Sequence, residues 1–265
     1  MAATGHALVT GASSGIGAAI ARALATRGVS LILTARRADR LEALATELRD
    51  RVDVHVVPAD LADAAAVAGL VDAIEHRGLQ VRMLVNNAGY GVPGRFDAVE
   101  WGRHADFLQV MVTSVCELTW RLLPSMRAFP DGRILNVASF AGLMPGSRGQ
   151  TLYGAAKAFM IRFSESLAQE HADRDLRVTA LCPGFTWSEF HDVTGTRAMM
   201  DRLPACAWLD ADDVARAGLD ALERGRVIAV PGWRYRLLHG LTRHLSDERR
   251  LALMARHASK IRKAD

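Results

Sequence analysis

Along the chain, short unbroken apolar runs alternate with longer segments whose apolar positions return every three or four places. Runs of the first kind suit strands buried on both faces, and segments of the second suit amphipathic helices. His6–Thr10 (HALVT) and residues 30–34 (SLILT) read as two strands. Between them a helix runs to about residue 27, with Ile16, Ile20, Ala23 and Leu24 on one stripe. The alternation continues with helix 38–51, strand 54–57, helix 64–77, strand 83–86, a long helix 104–128 and strand 133–138. A helix carrying Tyr153 and Lys157, strand Arg177–Leu181, helix Ala211–Glu223 and strand 226–230 complete it. Strict alternation predicts parallel strands with right-handed crossovers, an α/β doubly wound sheet in a single domain.

Two stretches depart from this rhythm. Residues 185–208 are irregular and apolar, with Trp187, Phe190, Met199, Met200 and Trp208, and a loop of that length reads as a lid. Past residue 232 the pattern turns helical again. Trp233, Leu237, Leu241 and Leu245 recur every fourth place with Leu238 beside them and arginines around them. The expected organisation is therefore residues 1–232 as the folded domain, lid included, and 233–265 as a basic amphipathic helical extension.

Composition sharpens this picture at three points. Half of the 265 residues are hydrophobic and 23% are charged, which suits a large buried core, and no apolar run is long enough to span a bilayer. Cys116, Cys182 and Cys206 are widely spaced with no C-x-x-C, so neither a disulfide framework nor a zinc site is expected, no metal-ligand set stands out, and a reducing cytoplasm fits. The N-terminus enters a strand pattern at once and lacks a leader-like apolar region. The net charge of +4 is unevenly placed, since residues 224–265 hold eleven basic and three acidic side chains. That tail contains no recognised base-reading module, so nucleic acid is not the expected partner.

The candidate chemistry lies at the strand ends. After the first strand, Thr10-Gly-Ala-Ser-Ser-Gly-Ile-Gly17 places Gly11, Gly15 and Gly17 between strand and helix. There, free N–H groups and the helix dipole favour a pyrophosphate. The second strand ends in Ala35-Arg36-Arg37, where NAD-binding folds usually carry an acid for the ribose 2′-hydroxyl. Two arginines instead suit a 2′-phosphate, with Arg36 as the clasp and NADP(H) as the expected cofactor. Tyr153 and Lys157, four apart, leave the same face of a helix. An ammonium beside a phenol favours the phenolate, which makes the phenol a ready proton donor. Only Lys157, Lys260 and Lys263 are lysines among 33 basic residues, so a compact ammonium at this place stands out.

Together with Asp60-Leu61, Asn86-Asn87-Ala88-Gly89, Ser139 and Pro183-Gly184, these motifs resemble the short-chain dehydrogenase/reductase family over roughly residues 5–232. The likeness is to core-sized, ketoacyl-reductase-like members with a Rossmann-type sheet. It implies an oxidoreductase in which Tyr153 is the general acid/base, Ser139 positions the substrate oxygen and Lys157 holds the nicotinamide ribose. It also implies that Gly11, Ser13, Ser14, Gly15, Ile16 and Gly17 cradle the cofactor, and that Asp60 and Leu61 meet its adenine. Asn87, Ala88 and Gly89 would line the ribose, Asn86 would brace the sheet, and Pro183, Gly184, Thr186 and Ser188 would hold the nicotinamide. One position departs from the family pattern. Aligning LT-x-x-LLP puts Met111 where an asparagine usually anchors a proton-relay water. A thioether is a poor replacement for an amide. Either backbone alone holds the water and turnover survives, or the chain is an NADP(H)-binding sensor or scaffold with little turnover.

The apolar lid points to a hydrophobic ketone, 3-oxoacyl-type substrate or secondary alcohol. Tyr90, Phe140, Leu143, Trp187, Phe190 and Met199 are its expected contacts. The family resemblance implies a homodimer or homotetramer. The basic tail suits a membrane surface, an acidic acyl carrier or a neighbouring subunit.

Overall fold

The computed structural model of the protein describes residues 5–173, 176–189, 204–246 and 248–252. Seven strands form one all-parallel sheet: β1 (His6–Thr10), β2 (Leu31–Thr34), β3 (Val54–Val56), β4 (Val81–Asn86), β5 (Arg133–Val137), β6 (Arg177–Leu181) and β7 (Ile228–Ala229). Their order is β3-β2-β1-β4-β5-β6-β7, with the chain reversing direction across the sheet beside β1. That is the doubly wound Rossmann-type architecture expected from the alternation, and it opens a crevice at the carboxyl ends of β1 and β4.

Alternate residues of each strand feed two layers of helices. Ala7, Val9, Leu31, Leu33, Leu135 and Leu181 pack under α1 (Gly15–Thr26), α2 (Ala38–Leu48) and α7 (Ala211–Glu223). Leu8, Ile32, Leu84, Ile134 and Val178 face α3 (Ala66–His76), α5 (Ser114–Arg127) and α6 (Thr151–Glu170). Period-two alternation inside uniformly apolar strands is what a sheet covered on both faces produces.

Element limits move by one or two residues against expectation, which is ordinary fraying. The larger difference concerns the long helix expected over 104–128. It is α4 (Trp101–Leu108), a π turn (Gln109–Thr113) and α5 in succession. A π turn accommodates one extra residue without interrupting the apolar stripe, so periodicity cannot reveal it. Ser114 fixes its end, donating to the Leu61 carbonyl at 2.9 Å and accepting from the Gln109 amide at 3.3 Å. Phe107 and Met111, both fully buried, join Val92 and Ala156 in a cluster between this segment and α6. The tail begins as α8 (Trp233–Thr242).

Phe107 is the largest side chain sealed in that cluster, and Tyr90 meets it edge-on at 5.7 Å. Phe107→Ala is expected to lower the free energy of unfolding by about 3–5 kcal/mol, measured by urea denaturation.

Candidate active site

The loops after β1 and β4 are cross-linked by one threonine. Thr10 Oγ donates to the Val85 carbonyl at 3.1 Å and accepts from the Asn87 and Ala88 amides at 2.9 and 3.0 Å. Asn87 returns its side-chain amide to the carbonyls of Thr10 and Gly11 at 2.9 and 3.2 Å. The glycine-rich turn and the NNAG turn therefore form one rigid rim. Gly17 lets α1 close onto this rim, because a Cβ there would sit 2.4 Å from the Asn87 amide nitrogen and from the Gly11 carbonyl oxygen. The α1 N-terminus has no side-chain cap and no acidic residue in its first turn. Its free N–H groups suit the pyrophosphate of a dinucleotide, so these residues fit that group.

A second network fixes α6. Asn86 donates to the Asn136 side-chain oxygen at 2.9 Å, and Asn136 donates to Ser164 Oγ at 2.8 Å. Ser164 closes the chain onto the Met160 carbonyl at 2.7 Å. These buried links tie β4, β5 and the Tyr153/Lys157 helix together. Lys157 is 5% exposed, and its Nζ donates to the Val137 carbonyl at 2.7 Å and lies 5.8 Å from the Tyr153 ring centroid. Burial pushes its pKa down to about 8 and pushes the neighbouring Cys182 thiol up to about 12. Ser139 opens the 3-10 turn Phe140–Leu143 with its Oγ accepting from the Ala141 amide at 3.1 Å.

Ser139, Tyr153 and Lys157 line a cleft of about 750 Å³ along the carboxyl ends of the strands. Gly11, Ser13, Ser14, Gly15, Ile16, Asp60, Leu61, Asn87, Ala88, Gly89, Pro183, Gly184, Thr186 and Ser188 line it as well. Tyr90 and Phe140 reach the same space. At its far end, Arg36 is exposed and Arg37 is engaged. Arg37 donates to Ser13 and Ser14 at 3.0 Å each and to Glu189 at 3.0 Å. Arg40 takes the other Glu189 oxygen, and the Arg40 and Arg37 guanidiniums hold that carboxyl below its ordinary range.

Three expected residues lie elsewhere. Met111 does not line the cleft; it is sealed behind Tyr153, in the cluster with Phe107 and Ala156. Trp187 does not line the cleft, although Thr186 and Ser188 on either side of it do. It stacks on Trp208 at 4.0 Å and is 48% exposed. Leu143 packs on the cluster of Val115, Met160 and Ile161, and Met144, leaving the turn in extended conformation, takes the cleft position. Phe190 and Met199 lie outside the described residues.

Several cleft residues, Met144 and Leu238 among them, went unread, and the most consequential is Tyr235, on α8. The stripe of Trp233, Leu237 and Leu241 faces outward, at 62%, 54% and 63% exposed. The helix turns Tyr235 and Thr242 inward, and Leu238, 41% exposed, borders the cleft. The Tyr235 hydroxyl accepts from the Phe185 amide at 3.0 Å and donates to the Ala207 carbonyl at 2.6 Å. Its ring covers Gly184, where a Cβ would fall 1.9 Å from Cζ, and meets Phe140 edge-on at 5.1 Å. The i, i+3, i+7 spacing of Tyr235, Leu238 and Thr242 was visible in sequence, but a wholly apolar stripe outcompeted it.

The family model for short chain dehydrogenases matches residues 5–197. Nodulation protein G of Rhizobium sp. (strain N33) is 41% identical over 214 residues, covering 80% of this chain and 86% of that protein. The 3-oxoacyl-[acyl-carrier-protein] reductase FabG of Haemophilus influenzae is 35% identical over 217 residues, covering 80% and 87%. A short-chain dehydrogenase from Sphingobium yanoikuyae in complex with NADPH superimposes with a TM-score of 0.79 at 31% identity, covering 98% and 97% of the two chains. A relative from Burkholderia phymatum in complex with NAD gives 0.79 at 25% identity, covering 90% and 92%.

The buried ammonium has a measurable signature in the ligand-free protein. An unfolded chain keeps the Lys157 proton up to the ordinary value of 10.5, whereas the folded chain releases it near 8. Between those pH values the unfolded state binds more protons, so wild-type stability rises with pH relative to Lys157→Met. The relative gain across the window is about 3 kcal/mol, read from urea unfolding of both proteins. A pH-independent difference would mean that the ammonium is solvated.

Proposed function

The chain belongs to the short-chain dehydrogenase family and is an oxidoreductase, and from that premise we propose that it is an NADP(H)-dependent reductase of hydrophobic ketones, or a dehydrogenase of the matching secondary alcohols. The observation that carries this reading is the single cleft joining the glycine-rich cradle to Ser139, Tyr153 and Lys157. The cofactor, when bound, supplies or accepts the hydride. Ser139 Oγ holds the substrate oxygen as a hydrogen-bond donor. In reduction the Tyr153 O–H bond breaks and its proton forms the new O–H bond on that oxygen; in oxidation the phenolate takes the proton back. Lys157 stabilises the phenolate from a site where burial strengthens its field.

Arg36 favours the phosphorylated cofactor. It is exposed at the cleft end and makes no hydrogen bond or ion pair among the described residues. Arg37 reaches the same end but is tied to Ser13, Ser14 and Glu189. The relative with NADPH supports this choice and the relative with NAD supports the alternative. The substrate end is walled by Tyr90, Phe140, Met144, Tyr235 and Leu238, which favours an apolar carbonyl compound. The name of the FabG relative supports 3-oxoacyl thioesters as further candidates.

Surface features extend the reading to partners. Exposed Trp120 on α5 and Phe159 on α6 suit a contact between copies of the chain. The exposed stripe of α8, flanked by Arg234, Arg236 and Arg243, suits an anionic membrane surface or an acidic acyl carrier. No helix among the described residues is long and apolar enough to cross a membrane.

The burial of Met111 favours a second reading, a cofactor-binding sensor with little turnover. NADPH and NADH oxidation with a panel of apolar ketones and 3-oxoacyl thioesters separates the two. The expected result is consumption of NADPH in preference to NADH, lost by at least about 10²-fold in Tyr153→Phe. Tight NADPH binding with no consumption across the panel would favour the sensor. Met111→Asn tests the same point from the other side. Restoring an amide is expected to raise kcat toward the lower end of the roughly 10²–10⁴-fold range of a positioned acid–base effect. It should also cost about 1–3 kcal/mol of stability, because the new polar group enters an apolar cluster. Unchanged kcat would show that no relay runs through this position.

A further inference from the structure

At the sheet edge opposite the cleft, His6, Asp53 and His55 converge. His6 opens β1, Asp53 lies just before the edge strand β3, and His55 is its central residue. His6 is 7% exposed, and its ring meets His55 edge-on with centroids 5.4 Å apart. His6 Nε2 lies 3.5 Å and His55 Nε2 2.8 Å from the same oxygen, Asp53 Oδ2. One ligand atom from each residue falls within 4.8 Å of the others.

The His6 ring has a lone-pair conflict that fixes what this cluster wants. Its Nδ1 faces the Gln80 carbonyl oxygen at 3.3 Å, which can only accept, so Nδ1 carries hydrogen. In a neutral ring Nε2 is then a bare lone pair, and it faces a carboxylate oxygen, which also only accepts. A cation between them removes the conflict. A proton does so by making His6 an imidazolium. A metal ion does so by taking Nε2, Oδ2 and the His55 nitrogen together, while Nδ1–H stays on a backbone carbonyl. That last bond is the arrangement that orients imidazole ligands in metal sites.

We propose that His6, Asp53 and His55 bind a divalent transition-metal ion of the zinc class. Two imidazoles and one carboxylate are a zinc-type donor set, with a fourth position open to water. Zn–N and Zn–O bonds of about 2.0–2.2 Å place tetrahedral ligand atoms ~3.3 Å apart. The observed 3.5 and 2.8 Å separations bracket that spacing. The ion clasps the three-residue edge strand β3 to β1 across the intervening β2, at the end of the sheet away from the chemistry. Sequence spacing conceals the site because its ligands come from separate strands and include no cysteine.

The test uses the full chain, without an affinity tag and stripped by a chelator. Zn²⁺ is titrated by calorimetry, with thermal unfolding followed in parallel. Wild type is expected to bind one equivalent and to gain Tm, while His55→Ala and Asp53→Ala each weaken binding at least about tenfold. Both substituted residues are partly exposed, so these variants keep the core intact. Cys206→Ser, which removes an exposed thiol, should bind like wild type. No saturable binding by wild type, or binding that survives both His55→Ala and Asp53→Ala, would overturn the proposal. The first result would leave a proton-bridged His6–Asp53 pair as the answer to the lone-pair conflict.

Discussion

A lysine ammonium held out of water is the constraint on which the rest of this site depends. Burying a charge is expensive, and here it depresses the Lys157 pKa to about 8 while one backbone carbonyl, that of Val137, accepts from it. Such a group keeps its position only if the helix beneath it cannot shift. The Asn86–Asn136–Ser164 chain supplies that rigidity, tying α6 to two central strands through buried side-chain amides. Destabilisation at one residue is thus coupled to a polar network a turn and more away.

The other wall of the cleft is assembled from segments distant in sequence. The Phe140 amide donates to the Pro183 carbonyl at 2.8 Å, joining the Ser139 turn to the loop after β6. Tyr235 then clamps that loop from α8, bonding to Phe185 and Ala207 while its ring lies on Gly184. Burial raises its phenol pKa, in keeping with a hydroxyl that serves as a structural hydrogen-bonding group. The tail's first helix therefore helps shape the substrate end, so a binding event on its exposed face acts on an element in direct contact with the cleft.

How much of this was legible in the sequence follows from the range of each interaction. The glycine turn, NNAG, Ser139 and the Tyr153/Lys157 pair are local patterns at strand ends, and the parallel sheet brings them together with no further information. Trp187 and Leu143 failed because a residue's direction within a loop depends on which neighbour faces the cleft. Thr186 and Ser188 line the cleft on either side of Trp187, and Leu143 gives way to Met144. Tyr235 was hidden by a more apolar stripe on its own helix, and the π turn by its silence in the hydrophobic period. The Arg37–Glu189 pair joins the end of β2 to the loop after β6, and nothing local announces such a partnership.

Val92, Phe107, Met111 and Ala156 form a dry wall on the α4–α6 side of Tyr153. Apolar surroundings lower the local dielectric and strengthen the influence of the Lys157 charge on the phenol. The side chains of that wall offer only a weak thioether acceptor on which to seat a relay water. If Tyr153 gives up a proton in each reductive turnover, resupply rests on a water held by backbone or on the cleft itself. In the mechanism proposed above, a thioether at this position would sharpen the electrostatics of the proton donor while weakening the seat of a relay water, and Met111→Asn reads the balance between those effects.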